Sequence, residues 1–320
     1  MTLLGVLLLA IKFFAYFLTH SVAILTDALE SIVNVVAGFI GWYSLRIAYK
    51  PRDTDHPYGH GKAEFLSAAI EGTLISLAAI FIIIEATSNL LHPHPVSELD
   101  YGIILIAISG IINFVAGKIA INTGVKNRSM AITATGKHLV SDAYSTAGLL
   151  AGLAILFFTK IWWIDSAVAM LIALIILFTG YKILRQSIAG IMDEADPGLL
   201  KELVETLNQN RRPNWIDLHN LRIIKYGSSL HVDCHLTLPW YFNVHEAHTE
   251  IEALGNLIKE KFGTGMEIFV HTDGCLEFSC KICRKDNCNV RQHAFQKKVE
   301  WSVDNIFADE KHTLQEADAR

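Results

Sequence analysis

Two segments each carry a pair of metal-ligating side chains inside an otherwise apolar run. They are Glu30-x-x-x-Asn34, within SVAILTDALESIVNVVAG, and His138-x-x-x-Asp142, within ATGKHLVSDAYSTAGLL. In a helix this spacing sets both side chains of a pair on one face, one turn apart. Polar and ionisable groups within a membrane span are costly and mark an ion path or a buried pair. Brought together, the pairs make a cage for a divalent cation at bilayer depth, which is the chemistry of a transport site. Asp27, one turn before Glu30, can assist the cage or pair with Lys12 or another helix.

Further ligand types cluster outside the apolar runs. The stretch Asp53-Thr-Asp-His56-Pro-Tyr-Gly-His60-Gly-Lys62 offers carboxylates and imidazoles that suit zinc equally as they suit a solvated loop. Farther on come His219, His231, His235, His245, His248, His271 and Asp273. Any one of these is a common surface residue, but their density points to a metal cluster. His231, Asp233 and His235 share one face of a strand by their period of two. The run Cys275-x4-Cys280-x2-Cys283-x4-Cys288 can give four thiolates to tetrahedral zinc, or act as redox-active or simply reduced thiols. Cys234 reads as a buried strand residue. His92 and His94 lie in a short loop, and Gly38-x-x-Gly41 permits close helix packing.

These side chains need helices long enough to hold them at membrane depth. The 320 residues are 52% hydrophobic with a mean hydropathy of +0.34, which fits a membrane protein carrying a soluble part. Six spans are expected: Leu3–Leu18, Val22–Ile47, Phe65–Leu91, Gly102–Asn122, Met130–Phe158 and Asp165–Leu184. The first has signal-peptide length, but Lys12 interrupts it and no small-residue cleavage pattern follows. Lys50, Arg52 and Lys62, then Lys126 and Arg128, then Lys182 and Arg185 mark alternate connections. The positive-inside rule makes those connections, and both termini, cytoplasmic. The net charge of -5 provides no basic footprint for nucleic acid.

The apolar pattern ends near residue 190. Beyond it, Pro197–Asn210 and Val244–Phe262 read as amphipathic helices, and Leu218–Tyr226, Leu230–Leu238 and Met266–His271 as strands, with Gly227-Ser228 as a hairpin turn. That order, αββαβ, makes a two-layer α+β domain for which dimerisation is plausible. The expected divisions are 1–190 for transport, 191–273 for the α+β domain, and 274–320 for a cysteine knuckle followed by an amphipathic helix over Val290–Phe307.

Taken together, the segments SVAILTDALES, HPYGHGKAEF, KHLVSD, MDEADP, HVDCHL and FVHTD resemble the cation diffusion facilitator (CDF) family of metal-ion/proton antiporters. The resemblance runs to about Asp273. It implies an all-α bundle of six transmembrane helices, a cytoplasmic ferredoxin-like domain and a homodimer in membrane lipid. It implies a transport site of Glu30, Asn34, His138 and Asp142, and a loop site of Asp53, His56 and His60. It also implies a cytoplasmic site drawing on His219, His235, His248, His271 and Asp273, and a structural pair of Lys62 with Asp193. The implied activity is not enzymatic. It is proton-coupled efflux of a divalent metal, with zinc first and iron, manganese, cobalt or cadmium as alternatives, serving as substrate and as bound regulatory ion. The cysteine usage and the lack of targeting signals suit a bacterial inner membrane.

The first half of the cage departs from the family pattern, in which Asp or His is followed by Asp. Glu30 and Asn34 leave two formal negative charges and more oxygen than usual, which leans toward manganese or iron(II) relative to zinc. The cysteine run has no family counterpart. Two rival readings are a membrane metalloenzyme and a membrane-anchored metal sensor. The first lacks an additional acid–base pair or an H-E-x-x-H motif. The second leaves the ligands inside two spans unexplained.

Overall fold

The computed structural model describes residues 2–92, 98–126, 130–226, 229–263 and 265–314. The turn at Gly227-Ser228 and His94 lie outside them. The chain forms two compact units. One comprises Met1–Arg46 and Glu64–Ile188, the other Ile47–Ala63 and Ala189–Arg320.

The first unit is helical: α1 (Thr2–Thr19), α2 (Val22–Ala48), α3 (Ala63–Leu91), α4 (Leu99–Lys126), α5 (Met130–Thr159) and α6 (Trp163–Ile191). The last five contain stretches long and apolar enough to cross a membrane; the described apolar part of α1, Gly5–Thr19, is shorter. Large apolar side chains such as Phe17, Phe39, Leu77 and Phe178 point away from the protein interior. A helix that is apolar all round fits a lipid surrounding rather than water. Inside, Ile24, Ile82, Ile106, Leu149 and Leu153 form a core with the small residues Ala15, Ala86 and Ala169.

Polar caps fix the helix ends. Asp165, in the first turn of α6, accepts from the Ser21 hydroxyl and from the Val22 backbone N–H at 2.7 Å, closing the N-terminus of α2. Helices α4 and α5 touch backbone to backbone. A Cβ at Gly117 would lie 2.9 Å from the Gly136 carbonyl oxygen, and one at Gly136 would lie 2.6 Å from the Ile121 nitrogen. Gly38 and Gly41 have no such neighbour within 4 Å, so the close approach sits elsewhere than the sequence spacing suggests.

The second unit contains α7 (Pro197–Gln209), β1 (Asp217–Tyr226), β2 (Ser229–Leu238), α8 (Val244–Phe262) and β3 (Met266–Gly274), in the expected order. Asp196 caps α7 through the Gly198 and Leu199 N–H groups, with Pro197 in the first turn. Asn243 and Glu246 form a reciprocal capping box on α8. The sheet order is β1-β2-β3, with β1 and β2 antiparallel and β2 and β3 parallel. Val232, Cys234, Leu236 and Leu238 of β2 join the apolar stripes of α7 (Leu200, Leu203, Leu207) and α8 (Leu254, Ile258) in one core. Alternation turns His231, Asp233, His235 and Thr237 to the other face.

The expected helix over Val290–Phe307 does not form. Residues 290–300 run without regular structure, and turns follow. The apolar positions Val299, Trp301 and Val303 alternate, which is the period of extended chain. This segment lies along β1: the Leu221 and Asn220 N–H groups donate to the Ile306 and Ala308 carbonyls at 3.0 and 2.9 Å. Trp301 and Ile306 enter the main core. Arg211 lies 3.9 Å over the Trp301 ring and donates to the Val299 carbonyl at 2.6 Å. Burial brings its guanidinium pKa down to about 10.

Candidate metal centres

Helices α2 and α5 bring the two spaced pairs together. Asn34 Nδ2 donates to Asp142 Oδ2 at 3.3 Å, and His138 Nε2 lies 3.8 Å from the same oxygen. Glu30, Asn34, His138 and Asp142 all line one cavity of about 650 Å³. Glu71 of α3 lines it too, as do Ser141 and Ser145. Glu71 was missed in the sequence although the signal was present: it is an acid inside an apolar span. Asp27 is engaged through one carboxylate oxygen, and its Oδ2 is buried without a hydrogen-bond partner among the described residues. Its Oδ1 accepts from Lys12 at 2.9 Å and from Thr146 at 3.4 Å, and Lys12 also donates to Ser31 at 2.9 Å. Of the readings open to Asp27, the Lys12 pair is the one formed.

In the loop between α2 and α3, Asp53 accepts at one oxygen from the Asp55 and His56 N–H groups, at 3.1 and 2.7 Å. His56 Nδ1 is 3.0 Å from that oxygen, and His60 Nε2 is 3.4 Å from the other. The His56 backbone N–H, with the imidazoles adding, holds the Asp53 carboxyl below its ordinary pKa. Asp53, His56 and His60 each offer a ligand atom within 4.8 Å of the others. The loop is anchored within its unit. Arg52 forms a fork on Glu267 at 3.0 and 2.6 Å, and Tyr58 stacks on Tyr226. Lys62 reaches Asp193 at 2.9 Å and lies over the Tyr226 ring.

On the sheet, pairing creates the third group. His219, His235 and His271 occupy one row across β1, β2 and β3, and Asp217 and Asp273 flank Thr237 in the next row on the same face. His219 Nε2 and His235 Nδ1 lie 3.4 and 3.5 Å from Asp273 Oδ2. That oxygen is buried and accepts no hydrogen bond among the described residues. Two imidazoles and a carboxylate converging on one point are a donor set that fits a zinc-type ion. The His271 ring lies tilted 4.6 Å from His235, and its Nε2 stands 3.8 Å from Asp273 Oδ1, outside the tight group. His248, on α8, shares a cavity of about 350 Å³ with Asp273 but faces Glu252 at 3.5 Å. His231 is buried apart from them, 3.1 Å from Glu267, and burial lowers its pKa.

Asp217 supports this group from behind. It lies 3.4 Å from His219 Nδ1, accepts from the His312 N–H at 2.9 Å and lies 2.7 Å from His312 Nδ1. Burial alone would raise its pKa. The His219 and His312 contacts outweigh burial and hold the carboxyl well below the usual range.

The cysteines are all free thiols. No three of them form a ligand group within 4.8 Å among the described residues. Burial raises the Cys275 thiol, and Tyr241, hydrogen-bonded to Cys288, is pushed up to about 12 by burial and the neighbouring sulfurs. Cys234 is buried in the core, its pKa raised to about 12.

Residues 1–192 match a family model described as the cation efflux transmembrane domain, and residues 195–275 match the cation efflux protein, cytoplasmic domain. An uncharacterized transporter of Synechocystis sp. is 30% identical over 265 residues, covering 83% of this chain and 85% of that protein. The cation-efflux pump FieF of Shewanella oneidensis is 27% identical over 272 residues, 83% of this chain and 89% of its own. FieF of Citrobacter koseri is 27% identical over 276 residues, 86% of this chain and 90% of its own.

Proposed function

Since this chain belongs to the cation diffusion facilitator (cation efflux) family, and is thus a multi-pass membrane transporter of cations, we propose that it exports a divalent transition metal in exchange for protons. The observation that carries this reading is the single cavity joining Glu30 and Asn34 of α2 to His138 and Asp142 of α5. Metal enters this cage from the cytoplasm and displaces protons, because the imidazole must be neutral and the carboxylates ionised to ligate. The helices then rock so that the cage opens outward, where protons compete for His138, Asp142 and Glu30 and release the metal. Zinc is the first expectation for the substrate; the oxygen-rich cage also admits manganese and iron(II).

In this reading α1 completes six crossings, both termini are cytoplasmic, and the αββαβ unit is a ferredoxin-like dimerisation domain in a bacterial inner membrane. Zinc held by His219, His235 and Asp273, with His248 and His271 near, tightens the homodimer and biases the transport equilibrium by its differential affinity for the two states. Lys62 with Asp193 ties the loop of the Asp53 group to the start of the soluble unit.

The test is metal-driven proton flux in proteoliposomes holding the wild type or Asp142→Ala. Zinc, manganese, iron(II), cobalt and cadmium are offered in turn. Flux in the wild type alone supports antiport. Equal flux in folded Asp142→Ala refutes the cage. No flux with any metal favours a membrane-anchored sensor.

A further inference from the structure

The chain beyond residue 275 lies outside both matched family segments, yet it returns to the sheet-face cluster. We infer that Asp309, in this tail, is the fourth protein ligand of the cytoplasmic metal site formed by His219, His235 and Asp273. The inference rests on the reading that this cluster holds a metal ion.

The geometry follows from a bulge in β1. The ladder with β2 shifts register between His219 and Arg222, and Asn220 takes a left-handed conformation with φ 50°. Asn tolerates that conformation better than most side chains. The bulge has two effects. It frees the Asn220 and Leu221 N–H groups to bind the tail carbonyls of Ala308 and Ile306. It also turns the Asn220 side chain toward the cluster, where Nδ2 donates to Asp309 Oδ1 at 2.9 Å and lies 3.3 Å from His235 Nε2.

Asp309 Oδ1 is thereby held 3.9 Å from His235 Nδ1, the imidazole nitrogen that faces Asp273 Oδ2 at 3.5 Å. Donor atoms at the corners of a tetrahedron around zinc stand roughly 3.3 Å apart, given metal–ligand bonds of about 2.0 Å. The 3.4 and 3.5 Å spacings already match that figure. Asp309 stands 3.9 Å from His235 and outside the group whose ligand atoms all lie within 4.8 Å, so its exposed carboxylate swings inward to ligate. The other tail groups leave the position open. Lys311 donates to the Gly274 carbonyl at 2.8 Å and approaches Asp273 only at Oδ1, 3.8 Å away, leaving Oδ2 directed at the imidazoles. His312 is engaged with Asp217 behind His219. The resulting set is two imidazole nitrogens and two carboxylate oxygens, all from one chain.

The test uses the full-length protein in detergent, in an Asp142→Ala background that disables the membrane cage. Zinc is titrated against a chromophoric chelator, and the component removed by His235→Ala is assigned to the cluster. Asp309→Ala and Asp309→Asn are expected to weaken that component roughly tenfold or more, because a lost ligand costs at least as much as a lost outer-shell partner. Glu310→Ala, the neighbouring tail acid, leaves it unchanged. Asparagine keeps the shape and the hydrogen-bonding carbonyl, so it separates ligation from packing. Wild-type affinity in Asp309→Asn would overturn the inference while the cluster stood. Retention of all zinc by His235→Ala would remove the cluster itself and the inference with it. Cobalt(II) absorption gives a second readout: the wild type should show an intense four-coordinate spectrum, which Asp309→Asn diminishes.

Discussion

Lys12 Nζ lies 2.9 Å from Asp27 Oδ1, and both side chains are buried between helices one turn before Glu30. Removing the ammonium leaves a carboxylate without its counter-charge, and breaking a buried pair costs about 3–5 kcal/mol. Lys12→Met should therefore lower the melting temperature in detergent markedly. Lys12→Met with Asp27→Leu should regain much of the loss, since an apolar pair can replace a buried ion pair. A single variant that melts with the wild type would show that the pair does not hold the bundle.

Glu71 lines the same cavity as the four cage residues but stands on a third helix. Its carboxylate can attract a cation into the cavity without joining the cage. Glu71→Gln is expected to reduce metal flux several-fold while leaving the order of preferred metals unchanged. A reordered preference in the proteoliposome assay would instead make Glu71 a ligand.

Asp217 is ionised in the folded unit at a pH where an ordinary carboxyl begins to protonate. A depressed pKa stabilises the fold fully above the unfolded value of about 3.9, and that stabilisation is lost as pH falls below it. Asp217→Asn should cost about 2–4 kcal/mol near pH 7, from weakened charge-assisted hydrogen bonding with His312 and the loss of the charge facing His219. The gap between variant and wild type should narrow between pH 4 and pH 2. Tryptophan fluorescence during denaturation at several pH values measures it, and a gap constant with pH would refute the assignment.

Trp301 is 2% exposed, packs in the main core and carries Arg211 over its ring. Trp301→Ala is expected to destabilise the second unit by about 3–5 kcal/mol. Unfolding monitored by circular dichroism would check this; a loss below about 1 kcal/mol would mean that the tail rests on the surface.

Much of this was legible because the sequence patterns are local. Helix α8 begins and ends where its cap residues and apolar period place it, and β1–β3 follow their alternation. The spaced ligand pairs of α2 and α5 predicted a shared site because helical spacing fixes which face each pair occupies. What was not legible depends on distant contacts. The bulge at Asn220 exists to accommodate a tail about 85 residues later, and no local pattern announces such a partner. From its sequence the tail over Val290–Phe307 reads as an amphipathic helix, a pattern that its observed turns and extended chain do not follow. The alternation of its apolar residues at Val299, Trp301 and Val303 was the better guide. The cysteine run is a nearer case: beyond the effect of burial, Cys283, Cys280 and Cys288 come close enough to raise the Cys275 thiol, while no three sulfurs lie within 4.8 Å of one another among the described residues.

The second unit joins Ile47–Ala63 to Ala189–Arg320. That arrangement sets an order of events during synthesis. The loop carrying Arg52 and Tyr58 is synthesised before α3 to α6, whereas its anchors Tyr226 and Glu267 are made long afterwards. The core into which Trp301 and Ile306 fit stays incomplete until those residues are made. The helices are made one after another while the earliest loop waits, and the unit closes only once Trp301 and Ile306 are present. A chain cut before Trp301 would keep α1 to α6 whole and leave the second unit unclosed.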